Sequence, residues 1–81
     1  MSVEFAPLLI EPAYRKVAAV IGARVLSRAL REGERLPSET ELARQFGVNR
    51  STVREALREL ESRGLVQRRH PLAQSVARRD Q

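Results

Sequence analysis

The chain has 81 residues and no cysteine, so it can form one small domain with a single core, and disulfide bonds and thiolate metal sites are excluded. Its net charge is +5, and the excess lies in residues 44–81, which carry nine basic and four acidic side chains against six of each in residues 1–43. No apolar run approaches a membrane span and the first ten residues lack the basic start of a secretory signal, so we expect a cytoplasmic protein with no membrane partner.

The first predicted elements are an arm and a helix. Residues 1–11 are expected to form a flexible arm, since Pro7 and Pro12 limit regular structure. The helix begins near Pro12, because proline at a helix start loses no hydrogen bond, and ends by Gly33. Gly22 either weakens this helix or permits close packing. Its apolar face follows helical spacing and comprises Tyr14, Val17, Ala18, Ile21, Val25 and Leu26.

The segment from Leu36 to Leu65 has the spacing of a helix-turn-helix. Two helices that cross over a tight turn need a small residue for close approach, a glycine for positive φ and a β-branched residue at the contact. Ala43, Gly47 and Val53 supply these three in order. The shared core is expected to contain Leu42, Phe46, Val48, Ala56, Leu57 and Leu60.

Capping residues predict the bounds of both helices. Ser38 opens the second helix and forms a capping box with Glu41, in which each side chain bonds the other's backbone N–H. Glu39 and Glu41 also oppose the positive end of the helix dipole. Asn49 is the N-cap of the third helix, which is expected to span about residues 50–63.

Two extended segments follow the third helix. One begins at Leu65 and the other lies around residues 75–77, so that they could pair across Pro71. A hairpin after a helix-turn-helix makes a winged helix. The predicted fold is therefore mainly α with a small β-hairpin, a winged helix-turn-helix over residues 12–78 with a tail or linker at 79–81.

The third helix presents a polar, arginine-bearing face. With 100° per residue, Val53 faces the core and Arg54 points away from it. A recognition helix enters the major groove with its first turns against base edges, so Arg54 is the candidate for a bidentate contact with guanine. Arg50 could read a base or bind a phosphate. Ser51 and Thr52 carry short hydroxyls suited to phosphate oxygens.

Each basic residue also has a structural interpretation. Arg54 and Arg58 could pair with glutamates at helical spacing instead of contacting DNA. The glutamates within reach on that helix are Glu55, Glu59 and Glu61. In the wing, Arg68, Arg69 and His70 could lie along phosphates or enter a narrow minor groove, or they could belong to a basic tail without fixed structure.

The stretch LPSETELARQFGVNRSTVREALRELESRGLV resembles the DNA-binding domain of the GntR (gluconate-repressor-like) family of bacterial transcription regulators. The resemblance covers about residues 12–70. It implies a winged helix-turn-helix that binds double-stranded operator DNA as a homodimer, most often as a repressor. It also implies that Arg50 and Arg54 read bases. The phosphate-contacting positions it implies are Ser38, Ser51 and Thr52.

The sequence departs from the family pattern at three places. Thr40 stands where the family usually has a third DNA-contacting arginine, so that contact is lost or replaced. Asn49 replaces the usual serine, which exchanges one N-cap for another. Pro71 and Ala73 stand where two glycines are typical, and we therefore expect a distorted, shortened or disordered wing.

Several other functions are disfavoured by the sequence. It has no Ser/His/acid set and no glycine-rich phosphate loop, so we expect neither an enzyme nor a cofactor in this chain. Family members normally carry a C-terminal domain that dimerises and binds a small-molecule effector, and these 81 residues lack it. RNA binding is disfavoured because three aromatic residues offer no stacking platform. The alternative class is a protein-interaction winged helix whose basic face binds an acidic partner.

Overall fold

The computed structural model describes residues 12–70 and 73–77, and the predicted arm at 1–11, Pro71 and the tail at 79–81 lie outside that part of the chain. Three helices and two strands follow one another in the described residues. They are α1 (Ala13–Leu26), α2 (Glu39–Phe46), α3 (Arg50–Ser62), β1 (Val66–His70) and β2 (Ala73–Val76). This order confirms the predicted helix-turn-helix and wing.

Helix α1 uses its predicted apolar face, with one exception. Pro12 is the N-cap, one residue before the first helical residue, as its missing N–H favours. Tyr14 packs half-buried against the core, and Val17 and Val25 are almost fully buried. Leu26 is 61% exposed, so its placement in the core was wrong. It is the last residue of the helix, and it points away from the face that buries Val17 and Val25.

Gly22 allows α1 and α3 to pack closely. A Cβ at this position would lie 3.3 Å from Cδ2 of Leu60 and 3.8 Å from Cδ1 of Leu65. The first distance is tighter than ordinary van der Waals contact, and Leu60 is fully buried. Of the two predicted roles for this glycine, close packing is the one that the structure supports.

The turn between α2 and α3 is built as the sequence predicts. Gly47 adopts the left-handed conformation with φ of 70°, and its N–H donates to the Ala43 carbonyl. Asn49 then caps α3, with Oδ1 accepting from the Thr52 backbone N–H at 3.0 Å. These two residues fix the direction in which α3 leaves the turn.

The capping box at the start of α2 forms only in one direction. Ser38 Oγ accepts from the Glu41 backbone N–H at 3.1 Å, as predicted. The reciprocal bond is wrong, because the Glu41 carboxylate accepts instead from Arg44 Nε at 3.1 Å and Gln45 Nε2 at 2.8 Å. Hydrogen bonds from Arg44 and Gln45 lower the pKa of Glu41 to about 2.

The core of the domain lies between the three helices and the base of the wing. Val53, Leu57 and Leu60 of α3 are at most 2% exposed and form its centre. Phe46 and Val48 pack against this cluster while remaining partly exposed. The remaining buried apolar residues of the two predicted helix-turn-helix helices are Leu42, Ala43 and Ala56. The predicted shared core is therefore confirmed.

The wing is an antiparallel hairpin that also pairs with the segment before α2. Val66 lies opposite Val76, and the register shifts between Arg68 and His70. The effect expected of Pro71 on the wing tip falls outside the described residues. On the other side of β2, Arg35 forms a β-bridge with Ser75. Backbone bonds of 2.8–2.9 Å link residues 33–36 to residues 74–76. The wing is thereby fixed to the start of α2.

Candidate nucleic-acid interface

Arg54 lies where the starts of α2 and α3 approach each other. Its Nη2 donates to Glu39 Oε1 at 3.0 Å, and its Nε lies 3.3 Å and 3.4 Å from the two carboxylate oxygens. The Arg54 side chain is 44% exposed and that of Glu39 is 29% exposed. Hydrogen bonding and the charge of Glu39 raise the pKa of Arg54. The arginine is therefore charged, oriented and open to solvent on one side.

This ion pair corrects the structural alternative that the sequence suggested for Arg54. Glutamates of α3 itself were expected as partners, but the partner is Glu39, fifteen residues earlier. Glu59 pairs with Arg63 at 3.0 Å instead. Arg58 is exposed and has no ion pair within the described residues, so pairing with a helical glutamate is wrong for it too.

Arg50 is the first residue of α3 and is exposed. Its Nη1 lies 3.5 Å from Oγ1 of Thr40, a hydroxyl on the adjacent start of α2. Thr40 is the residue that replaces an arginine in the family pattern. A threonine here accepts a hydrogen bond from Arg50, whereas an arginine would place a second positive charge beside it.

Ser51 and Thr52 both bond to the residue that caps their helix. Their hydroxyls donate to Asn49 Oδ1 at 2.8 Å and 2.9 Å, in addition to the Thr52 backbone N–H. Each hydroxyl keeps lone pairs free, but donation to a phosphate oxygen requires it to rotate away from Asn49. The two residues also line a hollow beside Pro12 and Tyr14 at the start of α1.

A cleft of about 260 Å³ lies between the starts of α2 and α3 and strand β2. Of the residues predicted for DNA contact, it is lined by Ser38, Thr40 and Arg50. Ser38 is exposed, and its Oγ accepts from the α2 backbone, so its O–H is free to donate outward. Gln74 from β2 completes the lining, and its Oε1 is buried without a hydrogen-bond partner in the described part of the chain.

Two residues of this surface, Glu39 and Gln74, are not among those that the sequence predicts for DNA contact. Glu39 was assigned only to the helix dipole, and Gln74 was not considered. No local pattern connects Glu39 to Arg54, because the pair depends on the crossing of two helices.

The wing residues are placed only in part. Arg68 lies on β1 and is exposed. Arg69 and His70 belong to the same strand, and their contacts with DNA stay predictions. Within the described residues, there is no group of three potential metal ligands and no helix of the length and hydropathy needed to cross a membrane.

The amino-acid sequence of the chain matches a known protein family. Residues 13–73 match the profile of the bacterial regulatory proteins of the gntR family. The chain belongs to the GntR family. The resemblance inferred from the sequence is thus confirmed, and the family's winged-helix fold agrees with the three helices and hairpin described above.

Among curated relatives, this GntR domain is similar to named repressors. It is 42% identical over 66 residues to the histidine utilization repressor of Klebsiella aerogenes, covering 82% of this chain and 27% of that protein. It is 44% identical over 50 residues to the mannosyl-D-glycerate transport/metabolism system repressor MngR of Escherichia coli (strain K12), covering 62% of this chain and 21% of that protein. The chain spans about a quarter of the length of these relatives.

Solved GntR structures share its fold. The crystal structure of the AraR DNA-binding domain with operator ORX1 has a TM-score of 0.80 and 31% identity, with 93% of both chains covered. PhnF from Mycobacterium smegmatis has a TM-score of 0.67 and 44% identity over 76% of this chain and 26% of that one. The three helices and the hairpin of this chain therefore have the fold of the AraR DNA-binding domain.

Proposed function

We propose that this chain binds operator DNA as the DNA-binding domain of a bacterial transcription repressor. The observation that carries the proposal is the presentation of Arg50 and Arg54 at the N-terminal end of α3, beside the start of α2, on a winged helix-turn-helix. Support comes from the AraR domain, which was solved with operator DNA, and from relatives named as repressors.

In the proposed complex, α3 lies in the major groove with its first two turns against the bases. Arg54 donates two hydrogen bonds to guanine O6 and N7, the commonest specific pairing in this groove. Arg50 contacts a base edge or a phosphate from the start of the helix. Arg58 lies one turn beyond Arg54 and is assigned to the DNA backbone, since it is exposed and carries no ion pair in the described residues.

The proposed phosphate contacts come from hydroxyl groups and from the wing. Ser38 and Thr40 stand at the positive end of the α2 dipole, which favours an anion. The hydroxyls of Ser51 and Thr52 reach a phosphate by rotating away from Asn49. Two wing residues complete the proposed site, Arg69 and His70.

Residues 12–78 are proposed to act as one unit within a longer regulator. Two copies would bind a pseudo-palindromic operator, with half-sites separated according to the dimer geometry. The unit itself is proposed to need no cofactor, and a small-molecule effector would bind a separate domain. Because its ligand would be chromosomal DNA, the cytoplasm is the proposed place of action.

Salt dependence of DNA binding tests this proposal. The chain is titrated with operator fragments selected from random duplexes, between about 50 and 200 mM salt. Each arginine that neutralises a phosphate should contribute about −0.9 to the slope of log affinity against log salt, so affinity should fall as salt rises. An affinity that does not change with salt, or a lack of any selected sequence, would contradict the proposal and favour a protein partner for the basic face.

A further inference from the structure

The contact between Arg54 and Glu39 has a defined orientation. The carboxylate meets the side edge of the guanidinium, which is formed by Nε and Nη2, at distances of 3.0–3.4 Å. Nη1 takes no part in these hydrogen bonds. Glu39 therefore fixes the plane of the guanidinium as well as its position.

A guanidinium can form paired hydrogen bonds through two edges. The side edge uses Nε and Nη2, and the end edge uses one hydrogen each from Nη1 and Nη2. With the side edge held by Glu39, the end edge remains for a second planar pair of acceptors. Guanine offers such a pair in O6 and N7 on its major-groove edge.

We propose that Glu39 is a positioning residue that makes Arg54 read guanine through its end edge. The proposal rests on the function proposed above, in which Arg54 contacts a base. Holding Arg54 in place before DNA binds removes part of the entropy loss that ordering a long side chain would otherwise cost in the complex. Glu39 then increases affinity for the correct site more than for other DNA.

The charge of Glu39 contributes to the same outcome. An arginine without a partner would be attracted to any phosphate, whatever the sequence. The Glu39 carboxylate, about 3 Å away, offsets the positive charge of Arg54. Arg54 therefore contributes less to the attraction between the protein and phosphates of any sequence. The matching guanine still benefits, because its acceptors bond directly to the end edge.

A purely structural role for the pair is a weaker explanation. Both side chains are partly exposed, and exposed ion pairs contribute little to folding stability. The pair also joins the first residue of α2 to a residue in the second turn of α3, the place where the proposed contacts concentrate.

The test is the ratio of operator affinity to affinity for unrelated duplex DNA in Glu39→Ala and Glu39→Gln. We expect the ratio to fall by about 3- to 10-fold in Glu39→Ala, the range for freeing one long side chain. Glu39→Gln should lose less, since its amide oxygen still accepts from Arg54. Glu41→Gln is the matched control, because it removes one negative charge from the same turn of α2 as Glu39→Gln does. The Glu41 carboxylate contacts Arg44 and not Arg54. Its ratio should equal that of the wild type.

Arg54→Ala separates this proposal from the function on which it rests. If Arg54 reads a base, Arg54→Ala loses preference at one base pair, and adding Glu39→Ala to it should lower the ratio no further. If Arg54→Ala loses that preference while both Glu39 variants keep the wild-type ratio, the positioning role is overturned and base reading stands. If Arg54→Ala keeps all preferences, base reading itself fails. Circular dichroism identifies any unfolded variant, and Glu39→Gln then provides the test.

Discussion

Asn49 offers a measurement of how a single side chain stabilises the start of the recognition helix. Its Oδ1 accepts three hydrogen bonds, from the Thr52 backbone N–H at 3.0 Å and from the hydroxyls of Ser51 and Thr52 at 2.8 Å and 2.9 Å. Only the backbone bond is lost at substantial cost, because exposed hydroxyls can donate to water instead. We expect Asn49→Ala to lower the free energy of unfolding by about 1 kcal/mol, the usual value of an N-cap.

Urea unfolding followed by circular dichroism checks this value. In thermal unfolding of a domain of this size, a loss of about 1 kcal/mol would correspond to a decrease in Tm of about 4–8 °C. Asn49→Ser is the control, since serine is an equally good N-cap and should retain most of the stability. A loss near 3 kcal/mol would refute the reasoning by showing that the hydroxyl bonds also stabilise the fold. An unchanged midpoint would show that the cap is not formed.

The remaining predictions concern the turn, the replaced arginine and acid stability. Gly47→Ala should lower the free energy of unfolding in urea by about 1 kcal/mol, because alanine is strained at the positive φ of this position. A Cβ there would meet no atom within 4 Å, so the strain of the backbone is the whole expected effect, and equal stability would contradict that φ. Thr40→Arg should tighten operator binding in a mobility-shift titration if a contact is missing, whereas unchanged affinity would show that Arg50 already compensates. Hydrogen bonds from Arg44, and then from Gln45, lower the pKa of Glu41 to about 2. The ionised Glu41 carboxylate therefore stabilises the folded state above pH 4.5, and this contribution is lost as the pH falls towards 2. Glu41→Gln should remove that part of the acid dependence of unfolding, and an unaltered pH profile would show that the pair does not contribute.

The sequence predicted those parts of the fold that depend on local signals. The cap at Asn49, the turn glycine Gly47 and the helical spacing of apolar residues are each decided within a few neighbouring positions. Those elements appear within one or two residues of the predicted bounds. Leu26 was misplaced because a step of 100° from the buried Val25 turns it away from the face that Val17, Ile21 and Val25 share.

Two of the unpredicted contacts join segments that are distant in the chain. Glu39 meets Arg54, and Arg35 pairs with Ser75 on the wing, only because the helix crossing and the hairpin bring them together. The reciprocal capping bond failed for a different reason, since Arg44 is a stronger partner for the Glu41 carboxylate than a backbone N–H is. The partners that the candidate site residues contact could not be read from the sequence and required the structure.

Base preference in Arg54→Ala tests the central claim most directly. The variant and the wild type are titrated with a selected operator and with its three single-base alternatives at each position of one half-site. The account predicts a loss of about 1–3 kcal/mol on the best site and relaxed preference at one guanine, with the other positions read as before. An equal loss on every sequence would contradict it, because Arg54 would then bind only a phosphate.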